Sequence, residues 1–223
     1  MSREAEIPRA LFEHMLAGEV HEVRAVTEEG LRLGMPPLVL LDEGLLPALQ
    51  EVGRRFERRE FFVPEMLVAA KAMQGALGLL RPLLSQTGAE PLGTIVMATV
   101  RGDLHDVGKN LCTIMLEGAG FIVVDLGTNV APAAVVAAVR EHAPALVGLS
   151  AFLTTTMAMF KGTLDALTQA GLRDRVRVVV GGAPVTAEFA AQVGADGYAP
   201  YATAAVRLAR RLVGEAAPMA VRR

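Results

Sequence analysis

The sequence has one cysteine, no tryptophan and little net charge, and these shortages exclude several classes of protein. A single cysteine, Cys112, excludes an internal disulfide framework and is typical of a reducing cytoplasm. The net charge of -2 gives no electrostatic reason to expect a nucleic acid or an anionic membrane as partner. No uninterrupted apolar run reaches the roughly 18 residues of a membrane span, and the charged segment 1–6 lacks the apolar core of a signal peptide. We therefore expect a cytoplasmic protein.

Apolar residues, in contrast, are plentiful. They make up 52% of the 223 residues, enough for one large or two small domains with hydrophobic cores. Cys112 falls within a predicted helix, and we interpret it as a small core residue.

The first part of the chain has helical periodicity throughout. Apolar residues recur every three or four positions in four successive segments, at 7–26 (two segments), 41–56 and 66–80. Gly18 and Gly34 are suitable ends for the first two helices, and Gly44 and Pro47 predict a bend in the third. Pro64 suits the first turn of the fourth. Residues 1–88 are therefore predicted to form a four-helix bundle domain.

The second part, 89–223, alternates β-branched runs with helical segments. This alternation indicates a parallel sheet with crossover helices. The predicted strands are 94–100, 121–126, 145–150, 175–180 and 196–199, and the predicted helices are 108–119, 131–142, 156–170, 185–193 and 201–214. The fold class predicted is α/β, a flavodoxin-like (Rossmann-like) five-stranded sheet in the order 2-1-3-4-5. Residues 85–93 form the predicted linker, and the chain after Val213 is predicted to fray.

The ends of three predicted strands carry residues that suit a binding site. Asp103 and His105 follow the first strand, Ser150 and the threonines 154–156 follow the third, and Gly181-Gly182 ends the fourth. In such a sheet, ligands bind beyond the carboxyl ends of the strands, between the first and third. The alternatives are that the hydroxyl residues only cap the next helix and that the two glycines only make a tight turn.

A carboxylate two residues from an imidazole has a defined chemical use. The carboxylate accepts the proton of one ring nitrogen, which leaves the other nitrogen free to accept a hydrogen bond or bind a metal. Gly108, just beyond the pair, would let a bulky group approach the backbone closely.

These residues resemble a known signature. Asp103-x-His105-x-x-Gly108, followed by Ser150 and by Gly181-Gly182, is similar to the cobalamin-binding signature of methionine synthase and its relatives. The segments 44–47, 52–56, 62–66 and 69–73 resemble the helical cap domain of that group. Segments 102–110 and 150–157 are most similar to the small corrinoid proteins of methanol and methylamine methyltransferase systems. The resemblance covers nearly the whole chain.

The resemblance implies a cofactor and a role for each site residue. The cofactor is cobalamin, bound base-off/His-on, with its nucleotide base detached and His105 as the lower cobalt ligand. Asp103 would hold His105, and Thr156 would extend the hydrogen bonds to Asp103. The residues implied to line the slot for the nucleotide tail are Gly108, Ser150, Thr154, Gly181 and Gly182.

The resemblance also implies a function and partners. Cobalt as Co(I) would accept a methyl group and pass it on as methyl-Co(III), so the chain would be a carrier without catalysis of its own. Its partners would be a substrate-specific methyltransferase, a methyl-acceptor methyltransferase and a reductive activator of cobalt, with no nucleic acid and no membrane. The helical domain would cover the upper face of the corrin through Phe62, Val63 or Met66, and the linker would be its hinge. Packing inside the bundle is the alternative for those three residues.

Three other hypotheses remain open: a mutase-type cobalamin-binding subunit, a cobalamin sensor or regulator, and a flavodoxin-like protein that binds no corrin. A mutase usually adds a large barrel, a sensor adds a DNA-binding domain, and a flavodoxin needs a phosphate loop, none of which this sequence shows.

Two features depart from the signature or stand outside it. Phe152 occupies a position where the signature usually has leucine, and we expect it to be an apolar wall. The basic residues of segment 54–59 are interpreted as a solvated helix face, with a docking surface as the alternative.

Overall fold

A computed structural model describes residues 3–84 and 91–214 of the chain. The chain divides into two compact units, Met1–Glu90 and Pro91–Arg223. Most of the predicted linker and the chain beyond Gly214 lie outside the described residues.

The first unit consists of four successive helical segments. The third segment is interrupted by a π-helical stretch, Leu40–Leu45, that contains Gly44 and ends two residues before Pro47, where the sequence predicts a bend. The helices of this unit are α1 Arg3–Ala17, α2 Val20–Arg32, α3 Pro37–Val39, α4 Leu46–Glu57 and α5 Val63–Leu84.

The predicted apolar faces form the core of this unit. Met66 is completely enclosed together with Met73 and Leu80 on the same face of α5, and Leu11 of α1 is buried as well. Val20 and Phe56 are the exceptions, because they are only partly buried. α5 is 22 residues long and contains an 18-residue window with a mean hydropathy of 1.2, so by length and composition it could cross a membrane. Its buried face is what a core helix of a bundle requires.

The second unit is a five-stranded parallel sheet in the order β2-β1-β3-β4-β5, as the sequence predicts. Its strands are β1 Thr94–Thr99, β2 Ile122–Asp125, β3 Leu146–Ser150, β4 Arg177–Gly181 and β5 Gly197–Ala199. Its helices are α6 Val107–Gly118, α7 Pro132–His142, α8 Ala158–Gln169, α9 Ala187–Val193 and α10 Ala202–Gly214. The fold class predicted from the sequence is confirmed.

Hydrophobic residues cover both faces of the sheet. On one face Val96 and Val147 pack with residues of α7, α8 and α9, including Phe160. On the other face Ile95 and Leu146 pack with residues of α6 and α10. Because alternate side chains of a strand point to opposite faces, a strand covered on both sides is apolar along its whole length, and this made the strands visible in the sequence.

Cys112 lies on the second of these faces, where it packs against the core. Burial raises the pKa of its thiol to about 12, and the nearby charge of Lys109 only partly opposes the rise. The thiol therefore stays protonated at neutral pH, as expected for a core residue and not for a nucleophile.

The central strands β1 and β3 are neighbours, with Thr99 aligned with Ser150. The backbone N–H of Val100 donates to the Ser150 carbonyl (3.0 Å), so pairing continues past the end of β1. The two loops that carry the predicted site residues are therefore adjacent.

Candidate cofactor site

The loop after β1 is held by hydrogen bonds from neighbouring segments. The Gly102 N–H donates to Asn129 Oδ1 (2.8 Å), and the Asn129 N–H donates to the Asp103 carbonyl (2.9 Å). The Thr99 hydroxyl donates to the His105 carbonyl (3.1 Å). Groups of Thr99 and Asn129, which lie outside the loop, therefore hold part of its main chain.

Asp103 is fully buried and is the centre of the site. Its Oδ1 accepts the His105 N–H (3.0 Å) and faces His105 Nδ1 (2.8 Å). Its Oδ2 accepts the N–H groups of Phe152 (2.7 Å) and Leu153 (3.1 Å) and faces the Thr156 hydroxyl (2.8 Å). Five groups, three of them from the loop after β3, thus converge on one carboxylate.

These contacts keep Asp103 charged. Burial by itself would raise the pKa of the carboxyl, but hydrogen bonds from His105, Phe152 and Thr156 outweigh burial and hold the pKa well below its usual range. A charged carboxylate can only accept hydrogen bonds. The group at His105 Nδ1 must therefore be an N–H.

His105 is left with one nitrogen available for binding. Since Nδ1 carries the proton, the neutral ring has its lone pair on Nε2. The His105 side chain is 49% exposed although its partner Asp103 is buried. The arrangement can present a fixed, neutral imidazole nitrogen to a metal, with the carboxylate increasing its basicity.

Phe152 completes the surroundings of His105. Its ring stacks on the imidazole, with centroids 4.3 Å apart and planes inclined by 25°. The sequence indicates an apolar side chain at this position, but it gives no sign of the stacking, which depends on the pairing of β1 with β3.

The hydroxyl residues after β3 have different environments. The hydrogen bond between Thr156 and Asp103 that the resemblance implies is present. Thr154 is exposed in a short 3₁₀ turn, and Ser150 is the last residue of β3. The residue before α8 is Met157, so the alternative that Ser150 or Thr154 caps this helix is wrong.

The glycines of the predicted slot divide into two kinds. A Cβ on Gly182, which has a φ of 127°, would collide with the Ala151 carbonyl, and one on Gly181 would lie 2.7 Å from the Ala199 carbonyl. These glycines are needed for the close approach of neighbouring strands, so the fold alone accounts for them. Gly108 faces open space, because a Cβ added there would meet no atom within 4 Å.

One buried cation near the site was not predicted from the sequence. Lys109 is only 2% exposed, and its ammonium group pairs with Asp125 at the end of β2 and with Asn110 Oδ1 (2.7 Å). Asn110 Nδ2 in turn donates to Asp106 Oδ2 (3.0 Å). This network ties the first turn of α6 to β2.

The residues around His105 fit a large apolar group with a metal at its centre. Leu104 is 72% exposed, and Val107, Phe152 and Leu153 are exposed as well. Within residues 3–84 and 91–214, no cluster of three or more His, Cys, Asp or Glu side chains could hold a bare metal ion. A single imidazole in an apolar patch suits a metal whose other ligands come from a macrocycle.

Comparison with known protein families agrees with this chemistry. A family model described as a B12 binding domain matches residues 93–207, which is more than half of the chain, and a second with the same description matches residues 8–81. This chain belongs to the B12-binding protein family. The similarity to corrinoid proteins inferred from the sequence is thereby confirmed.

Relatives of this B12-binding protein match nearly its whole length. It is 39% identical over 204 residues to trimethylamine corrinoid protein 1 of Methanosarcina acetivorans, covering 91% of this chain and 92% of the relative. It is 38% identical over 214 residues to a dimethylamine corrinoid protein of Methanosarcina barkeri, covering 96% and 100%. A chain of the methanol:cobalamin methyltransferase complex MtaBC from the same organism superposes with a TM-score of 0.79 at 29% identity, over 94% of this chain and 80% of that one.

The structure also shows the exposure of the three residues of the helical unit that the resemblance places near the corrin. Phe62 and Val63 are exposed at the start of α5, whereas Met66 is buried. For Met66 the core alternative is therefore correct. Phe62 and Val63 remain available for a contact.

The basic segment 54–59 is largely neutralised. Glu51 pairs with Arg54, Arg55 and Arg58, and Arg58 also pairs with Glu60. The hydrogen bonds from Arg54 and Arg55 lower the pKa of Glu51. This pairing favours the interpretation as a solvated helix face.

Proposed function

We propose that this B12-binding protein is a methyl carrier of a methyltransferase system, without catalysis of its own. It receives a methyl group from a donor held by one partner and delivers it to an acceptor held by another. Cobalamin, when bound, supplies the cobalt that carries the methyl group between the two transfers. The protein binds and orients the cofactor and controls the position of the proton on His105.

The observation that carries the proposal is the Asp103–His105 pair. A buried, charged carboxylate fixes the proton of His105 on Nδ1, and the half-exposed ring keeps Nε2 free in an apolar surface. His105 is the proposed lower ligand of cobalt, in the base-off/His-on arrangement. The Asp103–His105 hydrogen bond can adjust the basicity of Nε2 as the demand of the metal for a ligand changes.

The slot for the nucleotide tail is proposed from the resemblance and from the position of the strand ends. Ser150 and Gly181 are aligned across β3 and β4, next to the loop that carries Asp103. The residues proposed to line the slot are Gly108, Ser150, Thr154, Gly181 and Gly182. Thr156 belongs to the Asp103 network and is proposed to act through it.

The two parts of the chain are proposed to have different tasks. Residues 89–223 would bind the cofactor, and residues 1–88 would act as a helical cap domain.

The proposed partners are a methyltransferase that binds the methyl donor, a second methyltransferase that passes the methyl group to its acceptor, and a reductive activator of cobalt. The trimethylamine and dimethylamine corrinoid proteins are similar to this chain to nearly the same degree, 39% and 38% identity, so methylamines are the proposed donor class without a choice between them. A cytoplasmic location agrees with the single cysteine.

The test is electron paramagnetic resonance of the protein loaded with cobalamin and poised as Co(II). Labelling only the histidines with ¹⁵N should change the nitrogen hyperfine splitting of the wild-type protein, because the ligand nitrogen then comes from the protein. His105→Ala should remove this label-sensitive splitting.

His14→Ala is the control, because His14 lies in α1 and pairs with Glu19, far along the chain from the Asp103 loop. It should leave the spectrum unchanged. A base-on spectrum that responds neither to the label nor to His105→Ala would contradict the ligand assignment, and failure to bind cobalamin would contradict the proposed function as a whole.

A further inference from the structure

Phe152 makes two separate contacts with the Asp103–His105 pair. Its backbone N–H donates to Asp103 Oδ2 (2.7 Å). Its ring stacks on the His105 imidazole at a centroid distance of 4.3 Å. The first contact belongs to any residue at this position, and only the second requires an aromatic side chain.

The hydrogen bond to Asp103 does not by itself fix the His105 ring. It holds one atom, Nδ1, so the plane of the ring can still rock about the line from Nδ1 to the carboxylate. The side chain is 49% exposed and therefore only partly confined by packing. A flat ring at stacking distance, inclined by 25°, restricts the remaining motion because rocking would lose the stacking contact.

We infer that Phe152 is a positioning residue for the metal ligand, and that its ring holds the His105 imidazole in the plane that presents Nε2. The part of this inference that makes His105 a metal ligand rests on the proposed function. The stacking of Phe152 on His105 can be tested without any cofactor. His105 is then held at three points: Thr99 binds its carbonyl, Asp103 binds Nδ1, and Phe152 fixes the plane.

The position is informative because the cobalamin-binding signature usually has leucine there. A leucine side chain would cover part of the imidazole but has no flat face to stack on it. Aromatic pairs contribute roughly 0.5–1.5 kcal/mol beyond burial, and a tenfold ratio corresponds to about 1.4 kcal/mol. Phe152→Leu should therefore lower the ratio of His-ligated to unligated cobalt by about two- to tenfold.

The first experiment uses the full chain without cofactor. The ring protons of His105, assigned by nuclear magnetic resonance through comparison with His105→Ala, should be shifted upfield in the wild-type protein by the ring current of Phe152. Phe152→Leu should abolish the upfield shift, and Phe152→Tyr should keep it. The wild-type protein, Phe152→Leu and Phe152→Tyr all retain the backbone N–H at position 152, so Asp103 keeps its hydrogen bond. Any difference among them therefore arises from the side chain at position 152.

The second experiment compares the same variants loaded with cobalamin as Co(II). The histidine-derived hyperfine signal should be weaker in Phe152→Leu and restored in Phe152→Tyr. The resonances of β1 and β3 in Phe152→Leu show whether this variant is folded. If they match those of the wild-type protein, the weaker signal does not come from a loss of folding.

The outcomes separate this inference from the proposed function. A wild-type protein with histidine-ligated cobalt and an equal signal in Phe152→Leu would overturn the inference and leave the proposed function standing. An absence of the upfield shift in the protein without cofactor would overturn it as well. A wild-type protein that binds cobalamin without histidine ligation would overturn the ligand assignment and this inference together.

Discussion

Asp103 shows how a buried charge is kept in a protein interior. The carboxylate is removed from water, which would be very unfavourable for an unpaired charge. Three backbone N–H groups, from His105, Phe152 and Leu153, replace water around it. Main-chain groups, which cannot titrate, therefore supply three of the five hydrogen bonds that maintain the charge, and His105 and Thr156 supply the others.

Asp103→Asn should destabilise the protein without cofactor by about 1–3 kcal/mol at neutral pH. An amide nitrogen cannot accept the hydrogen bonds that the replaced oxygen accepts, so buried donors lose their partner. Urea unfolding measures the effect. Asp165→Asn, at an exposed Asp165–Lys161 pair on α8, is the matched control and should change stability by less than about 0.5 kcal/mol.

The difference in stability between the wild-type protein and Asp103→Asn should depend on pH in a definite direction. Because the pKa of Asp103 is lower in the folded protein, the stabilisation is fully present above the ordinary Asp pKa of about 3.9 and is lost as the pH falls below it. The stability gap between wild type and Asp103→Asn should therefore narrow as the pH falls below about 4. A gap that stays constant down to the acid limit of folding would contradict the assigned charge.

At the residue scale, the sequence was sufficient to predict a contact where both residues lie in one short motif. Asp103 and His105 are two positions apart, so their contact depends only on a local turn. Phe152 and Lys109 act through partners 47 and 16 positions away, at His105 and Asp125, and these contacts exist only once the sheet has formed. No local pattern in the sequence specifies either contact.

At the scale of elements, the strands and helices of the second unit were predictable from the sequence. Each observed strand begins and ends within two residues of its predicted bounds. For β1, β3 and β4 the reason is that both faces are buried, which makes their sequences almost continuously apolar. The helix α8 begins at Ala158, two residues after its predicted start at 156, because the segment 154–156 forms a 3₁₀ turn. There the Thr156 hydroxyl interacts with Asp103, so a tertiary contact determines the local structure.

The end of β4 allows a direct test of the close approach of the strands. Gly182→Ala should destabilise the protein, because the new methyl group would meet the Ala151 carbonyl and the residue has a φ of 127°. Ala151 directly precedes Phe152, so the variant should also disturb the His105 resonances. Thermal unfolding and nuclear magnetic resonance measure the two effects.

Gly78→Ala is the control for that experiment. Gly78 lies within α5, where an added Cβ meets nothing within 4 Å. The helix propensity of alanine should make this variant more stable by up to about 1 kcal/mol. If both substitutions stabilised the protein, the close approach of Gly182 to the Ala151 carbonyl would be contradicted.

The link between α6 and β2 gives a further prediction. Lys109→Met should cost about 2–3 kcal/mol, somewhat less than the loss of a fully buried partner, because Asp125 keeps a side-chain exposure of 31%. The double variant Lys109→Met/Asp125→Asn should recover part of the loss, which a double-mutant cycle measures. Strict additivity of the two single effects would show that the pair is not coupled.

At the scale of the whole molecule, cofactor binding should appear as stability. A ligand that binds only the folded protein raises the free energy of unfolding by about 2.7 kcal/mol at a hundred times its dissociation constant. At one fixed cobalamin concentration, the rise in melting temperature should be smaller for His105→Ala than for wild type, and His14→Ala should match wild type. An equal rise in all three proteins would indicate that His105 contributes nothing to binding.

The division into two units was visible as a change of pattern, from periodicities of three and four residues to β-branched runs. What the sequence could not specify is which apolar residues of a helix remain exposed. Phe62, Val63 and Met66 lie within five positions, yet the first two are exposed and the third is buried. Only the packing of α5 in its bundle separates them.

The five hydrogen bonds of Asp103 depend to different degrees on the completion of the sheet. Three of the donors lie in the loop after β3, so the carboxylate is not satisfied until β1 and β3 have paired. The contact of His105 with Asp103 can form in the local turn, but the full set of five hydrogen bonds is complete only once the central strands have paired. A chain that fails to complete its sheet therefore leaves the Asp103 carboxylate with only the two donors of His105.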